Sequence, residues 1–221
     1  MWGGWYKTKK MMSILAKMRE ESVMQMRESF VSKSEVAIVL DEMSSYALKN
    51  SYFTKVHYQQ LVTMGNTGVP YDLLLKSCVN IDNLQKYKCI IYIAPYTLEK
   101  DEGLLQTLSQ QGKTVVLTGR KYNIYGENIH NVPDSLSEAE LREYFEKANV
   151  HIYSKKSALI YAMEGYVSIT ACTDGEYVLH LDKECLLENV FEEESYFTTE
   201  QKVMLPLRKN QTLFFKIKDG V

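Results

Sequence analysis

The sequence predicts an α/β domain with a parallel sheet and flanking helices, followed by a small antiparallel β-sandwich. Two observations carry this. Short apolar runs alternate with amphipathic segments up to about residue 155, and helical periodicity then gives way to short alternating runs separated by turn residues. The length, 221 residues with a 45% hydrophobic fraction, suits one domain of ordinary size and a smaller one.

The elements follow in chain order. Met1–Tyr6 is aromatic and glycine-rich, and from Thr8 to Ser29 the residues Met11, Met12, Leu15, Met18, Val23 and Met26 recur near helical spacing. Glu35–Leu40 is a continuous apolar run of the kind that forms a buried parallel strand. Ser51–Met64 predicts a helix with Phe53, Val56, Leu61 and Met64 facing the core, ended by Gly65 or Gly68. Pro70–Leu75 and Cys89–Ala94 predict strands, with a helical turn at Ile81–Gln85 between them. Glu99–Gln111 predicts a helix closed by Gly112, and Thr114–Leu117 a further strand. Ser137 with Glu140 three residues on is a capping box opening a helix to Ala148, and Val150–Tyr153 is expected as the fifth strand. Beyond residue 156, Ala158–Ala162, Tyr166–Thr170, Tyr177–Leu181, Val203–Leu207 and Thr212–Ile217 predict the strands of the β-sandwich, with turns at Asp174-Gly175 and Lys209-Asn210.

Composition narrows the function. Lys and Arg total 26 against 28 Asp and Glu, so no basic surplus exists to neutralise phosphates, and nucleic acid is not an expected partner. The four cysteines, Cys78, Cys89, Cys172 and Cys185, form no CxxC pair and have no histidine at ligand spacing. No metal site is expected from them. Reduced thiols suit a cytoplasmic protein, no apolar run reaches membrane-spanning length, and the Met11–Met18 stretch is broken by Ser13 and Lys17, unlike a signal peptide. Sixteen tyrosines suit half-buried strand surfaces before they suit carbohydrate contact.

Motifs for chemistry are sparse. No G-x-G-x-x-G or Walker loop follows any strand, so no nucleotide cofactor is expected. A nucleophile elbow needs Ser or Cys on a tight strand-to-helix turn, whereas Thr118-Gly119 is followed by the bulky Arg120, and Cys78 and Cys89 sit at a strand end and a strand start. His57, on the helix from Ser51, reads as a surface or boundary residue rather than a base, and His130, His151 and His180 are scattered in sequence. Asp41 and Glu42 follow a strand, where a catalytic acid could sit, yet turn and capping roles fit them better. Glu192-Glu193-Glu194 reads as a solvated face in a loop.

A resemblance extends this reading. Ser34–Gly119 resembles the middle, trimerisation domain of the family 42 glycoside hydrolases, the β-galactosidases. It does so through Glu35–Asp41, a helix bearing Tyr58 and Leu61, the strand at Tyr71–Leu74, Tyr87–Pro95 and Gln111–Thr118. The tail resembles their small C-terminal β-domain through Tyr166–Thr170, Asp174–Leu181 and Leu205–Thr212. The resemblance implies an amidotransferase-like (flavodoxin-like) sheet without the amidotransferase cysteine. It also implies three segments: residues 1–30 as the remnant of a last barrel strand and helix, 31–155 as the α/β domain, and 156–221 as the β-sandwich.

The two catalytic glutamates of such enzymes lie on barrel strands to which no position here corresponds. The implied role is therefore a non-catalytic accessory and oligomerisation region with no catalytic residue of its own. Trp2 and Trp5 match a barrel loop facing the sugar, so they are the candidate substrate contacts, with apolar anchoring of the terminal helix as their plainer role. A homo-oligomer and carbohydrate contact through the barrel are the implied partners. Two rivals stand beside this: a free-standing amidotransferase-like enzyme and a carbohydrate-binding scaffold.

Overall fold

The computed structural model describes residues 8–27 and 31–219. Helix α1 (Lys9–Arg27) comes first. The α/β part then runs β1 (Val36–Leu40), α2 (Ser44–Ala47), α3 (Asn50–Phe53), a π-helical turn (Thr54–Tyr58), α4 (Gln59–Gly65), β2 (Tyr71–Leu75), α5 (Ile81–Leu84), β3 (Cys89–Ile93), α6 (Glu102–Gln110), β4 (Thr114–Thr118), β5 (Ile129–Val132) and α7 (Glu138–Lys147). The five strands form one parallel sheet in the order β2-β1-β3-β4-β5. This is the doubly wound flavodoxin-like order, whose switch point lies between β1 and β3.

The strand sequences explain their places. Every residue of β3 and β4 is buried, as are the first four of β1, because helices cover both faces of a parallel sheet. Alternation splits their side chains between two cores. Ile38, Ile91, Ile93 and Val116 meet Val56, Met64, Leu141 and Phe145 on one face. Val39, Ile90, Val115 and Leu117 meet Leu84, Leu105 and Leu108 on the other. Ile91 is fully buried in β3, between β1 and β4. The Ser137–Glu140 capping box opens α7 as expected, and Gly112, at φ +78°, follows the end of α6.

The fifth strand is a correction. Val150–Tyr153 is not a strand: the Val150 amide closes α7 on the Phe145 carbonyl, the His151 amide donates to Glu35, and the Tyr153 amide donates to the Gly68 carbonyl. The fifth strand is β5, an edge with the mixed sequence Ile-His-Asn-Val, in which only Ile129 is buried. A strand paired on one side needs no continuous apolar run, so its pattern is weak.

The remaining strands are β6 (Ala158–Met163), β7 (Tyr166–Ala171), β8 (Gly175–His180), β9 (Cys185–Asn189), β10 (Ser195–Phe197), β11 (Lys202–Leu207) and β12 (Thr212–Asp219). They form a five-stranded antiparallel sheet, β10-β9-β12-β7-β6, and a β11-β8 pair, which share one core around Ile169, Tyr177, Leu179, Leu187, Leu205 and Phe215. Strands β9 and β10 were not expected from the sequence; Glu192–Glu194 lies in the connection between them.

The two parts are joined through the backbone at Asn66–Gly68, where the Gly68 amide donates to Ala158 and the Ala158 amide to Asn66. Gly68 has φ +76°, and a Cβ there would lie 1.9 Å from the Ser154 carbonyl oxygen, so only glycine fits.

Candidate functional site

In a doubly wound sheet, ligands gather at the carboxyl ends of the strands beside the switch point. Here those ends are occupied by a closed set of hydrogen bonds. Asp41, which follows β1 and is 6% exposed, accepts from the Met43 amide at 3.0 Å and the Tyr96 amide at 2.8 Å. That is the turn-capping role its position predicts. Glu42 accepts from the Ser77 hydroxyl and amide, which holds its carboxyl below the usual range. The Ser44 hydroxyl donates 2.8 Å to the Ala94 carbonyl, and the Thr118 hydroxyl donates 3.2 Å to the Tyr92 carbonyl.

Ala94 is the residue on which a nucleophile would be expected. It follows central strand β3 directly and has φ +43°, a left-handed backbone that a side chain adopts only under local constraint. Gly119 allows this, because a Cβ on it would come within 2.5 Å of the Ala94 Cβ. The turn therefore has elbow-like strain but carries a methyl group. Cys89, at the opposite end of the same strand, is fully buried, and burial pushes its thiol up to about 12, far from thiolate character at neutral pH.

His57 corrects another expectation. It is 5% exposed, stacked on Phe53 at 4.3 Å, and its Nε2 has no partner among the described residues. Burial lowers its pKa, against the opposing pull of the Ala94 carbonyl and the Asp41 charge. Its spacing from Phe53, Gln60 and Met64 puts it on the core face, a signal outweighed in the sequence by its polar type. Next to it Gln60, fully buried, donates to the Leu136 carbonyl at 3.1 Å and accepts from the Leu136 amide at 2.7 Å.

Beyond the ends of β3 and β4 lies an open cleft of about 730 Å³ walled by Tyr96, Glu99, Glu102, Arg120 and Tyr122. Arg120 donates to the Tyr96 carbonyl, and the Tyr122 hydroxyl donates 2.8 Å to the Pro95 carbonyl, so these groups also brace the loops. Other carboxylates are similarly engaged. Asp72 accepts from Ser32, Lys86 and Tyr87, and the hydrogen bonds and Lys86 charge outweigh its burial and lower its pKa. Glu35 pairs with Lys88 at 2.5 Å and accepts from the His151 amide.

Two of the histidines scattered in sequence meet at the seam of the two parts: His151 Nε2 lies 3.1 Å from the His180 carbonyl, and its Nδ1 3.6 Å from Asp182. Trp2 and Trp5 lie outside the described residues. Among the described residues, no cluster of His, Cys, Asp or Glu suits a metal ion, and no helix is long and apolar enough to cross a membrane.

The fold and its strand ends thus define a class: a flavodoxin-like α/β sheet with a side chain lacking any nucleophilic group at its central strand end, followed by an antiparallel β-sandwich. Several solved β-galactosidases share this arrangement over nearly the whole chain. One is from Bacillus circulans sp. alkalophilus, with TM-score 0.63 and 12% identity, over 97% of this chain and 46% of that one. A catalytic mutant of Gan42B, a GH42 β-galactosidase from G. stearothermophilus, gives 0.62 and 14%, over 96% and 44%. The cold-adapted enzyme from Rahnella sp. R3 gives 0.54 and 12%, over 94% and 44%. The chain shares the fold of part of these enzymes and spans less than half of their length. No protein-family model and no curated protein matches the sequence.

Proposed function

We propose that this chain is a non-catalytic accessory and assembly region of a glycoside hydrolase of the β-galactosidase type, corresponding to the C-terminal part of such an enzyme. The observation that carries the reading is the fold match over 94–97% of the chain to less than half of three β-galactosidases. The carboxylates at the strand ends support it, because Asp41 and Glu42 are committed to backbone amides and a neighbouring hydroxyl. Glycoside hydrolysis needs two carboxyl groups about 5–9.5 Å apart flanking an open sugar site. The alanine at the elbow-like turn weighs against the amidotransferase-like alternative. Four free cysteines suit a reducing compartment such as the cytoplasm.

The test is a panel of nitrophenyl glycosides incubated with the purified chain. No hydrolysis above the blank is expected. Turnover that co-elutes with the chain through successive columns would overturn the proposal.

A further inference from the structure

A recess of about 280 Å³ lies on the seam between the two parts. Lys33, which precedes β1, and Tyr153, which follows α7, line it from the α/β part; Glu164, Asp182 and Lys183 line it from two turns of the β-sandwich. Met163 and Leu181 add apolar surface.

Tyr153 sets this recess apart. It is 5% exposed, and its ring packs in the core of the sandwich. Its backbone is fixed to both parts, since its amide donates to the Gly68 carbonyl at 3.1 Å and its carbonyl accepts from the His180 amide at 2.8 Å. Its hydroxyl has no hydrogen-bond partner among the described residues. Burial, with the nearby Asp182 and Glu35 charges, pushes its pKa up, so it stays a neutral donor. A nearly buried hydroxyl left unpaired costs stability, and here open space adjoins the residue. Its partner therefore comes from outside the chain.

The charges around the recess define that partner. They come as two ammonium groups and two carboxylates. Lys33 pairs with Glu164, Asp182 faces His151 Nδ1 at 3.6 Å, and Lys183 is engaged as well. No surplus charge is left to neutralise an ionic ligand. What remains is hydrogen-bonding capacity: further protons on the ammonium groups, further lone pairs on the carboxylates, and the phenol. An uncharged ligand whose groups both donate and accept matches that set. The volume stands at the lower end of ligand pockets, which begin near about 300 Å³, and it admits one small ring.

We propose that this recess binds one neutral polyhydroxyl ring, a monosaccharide unit, and that the Tyr153 hydroxyl hydrogen-bonds to it. This goes beyond the proposed function, which gives the chain itself no ligand.

The test is a protein-observed NMR titration of the full chain with methyl β-D-galactopyranoside and methyl β-D-glucopyranoside. At least one should shift the amides of Tyr153, Gly165 and Asp182 along a saturable curve, with a dissociation constant on the order of 1 mM for a ligand of this size. Tyr153→Phe removes only the hydroxyl and should weaken that binding about three- to tenfold. The variant should melt at the parent's temperature or above, because the lost hydroxyl has no partner among the described residues. A binding role is thereby separated from a structural one.

Shifts that stay linear to about 50 mM of both glycosides, or binding unchanged in the Phe variant, would overturn the proposal. So would saturation by glutamine or inorganic phosphate at lower concentration than by either glycoside, which would assign the recess to a zwitterion or an anion. Hydrolysis is not read in this titration, so this proposal and the non-catalytic reading fail separately.

Discussion

His57, Gln60 and Gly68 each hold a part of the fold together that their sequence neighbours do not advertise. His57 is held neutral by burial, and burial also lowers the pKa values of His130 and His180. A histidine with a depressed folded pKa binds fewer protons folded than unfolded, so its contribution is intact above the unfolded value, about 6.5, and is lost as pH falls through it. The thermal midpoint should fall between pH 7.5 and 5.5, and His57→Gln should flatten part of that slope; a midpoint independent of pH there contradicts the burial of these rings. Gln60→Leu leaves both backbone groups of Leu136 unpaired and should cost about 2–4 kcal/mol in urea unfolding. Gly68→Ala forces a Cβ against the Ser154 carbonyl and should cost more than about 2 kcal/mol, whereas a loss of only a few tenths would mean that the joint can open.

At the scale of elements, what could be read from the sequence follows burial. Strands β1, β3 and β4 are covered on both faces, so their apolar runs are continuous and their boundaries were legible to within about one residue. Strand β5 is an edge, and its Ile-His-Asn-Val pattern carries little signal, whereas Val150–Tyr153 looks like a strand but spends its amides on α7, Glu35 and Gly68. Strands β9 and β10 also escaped. In β9, Cys185, Leu187 and Asn189 face inward, and the buried asparagine and the nearby glutamates mask the alternation. At the strand ends, the capping role of Asp41 follows from its residue type and position, but the strained Ala94 and the inward His57 depend on three-dimensional packing. Ile91→Asp puts an unpaired charge in the middle of β3, and the chain should then fail to fold; a cooperative melt like the parent's would refute the strand order.

For the whole molecule, the chain shares the fold of part of several β-galactosidases, and the central proposal is that it does no glycosidase chemistry itself. Hydrolysis assays are vulnerable to traces of a contaminating enzyme, but covalent trapping is read on the chain's own mass. A retaining glycosidase forms a glycosyl-enzyme ester on a carboxylate, and a 2-deoxy-2-fluoro-β-galactoside with a good leaving group makes that ester long-lived. We predict that intact-mass spectrometry after prolonged incubation shows the chain at its unmodified 25.6 kDa. A stoichiometric adduct of one fluorosugar, mapped to a single Asp or Glu, would contradict the account.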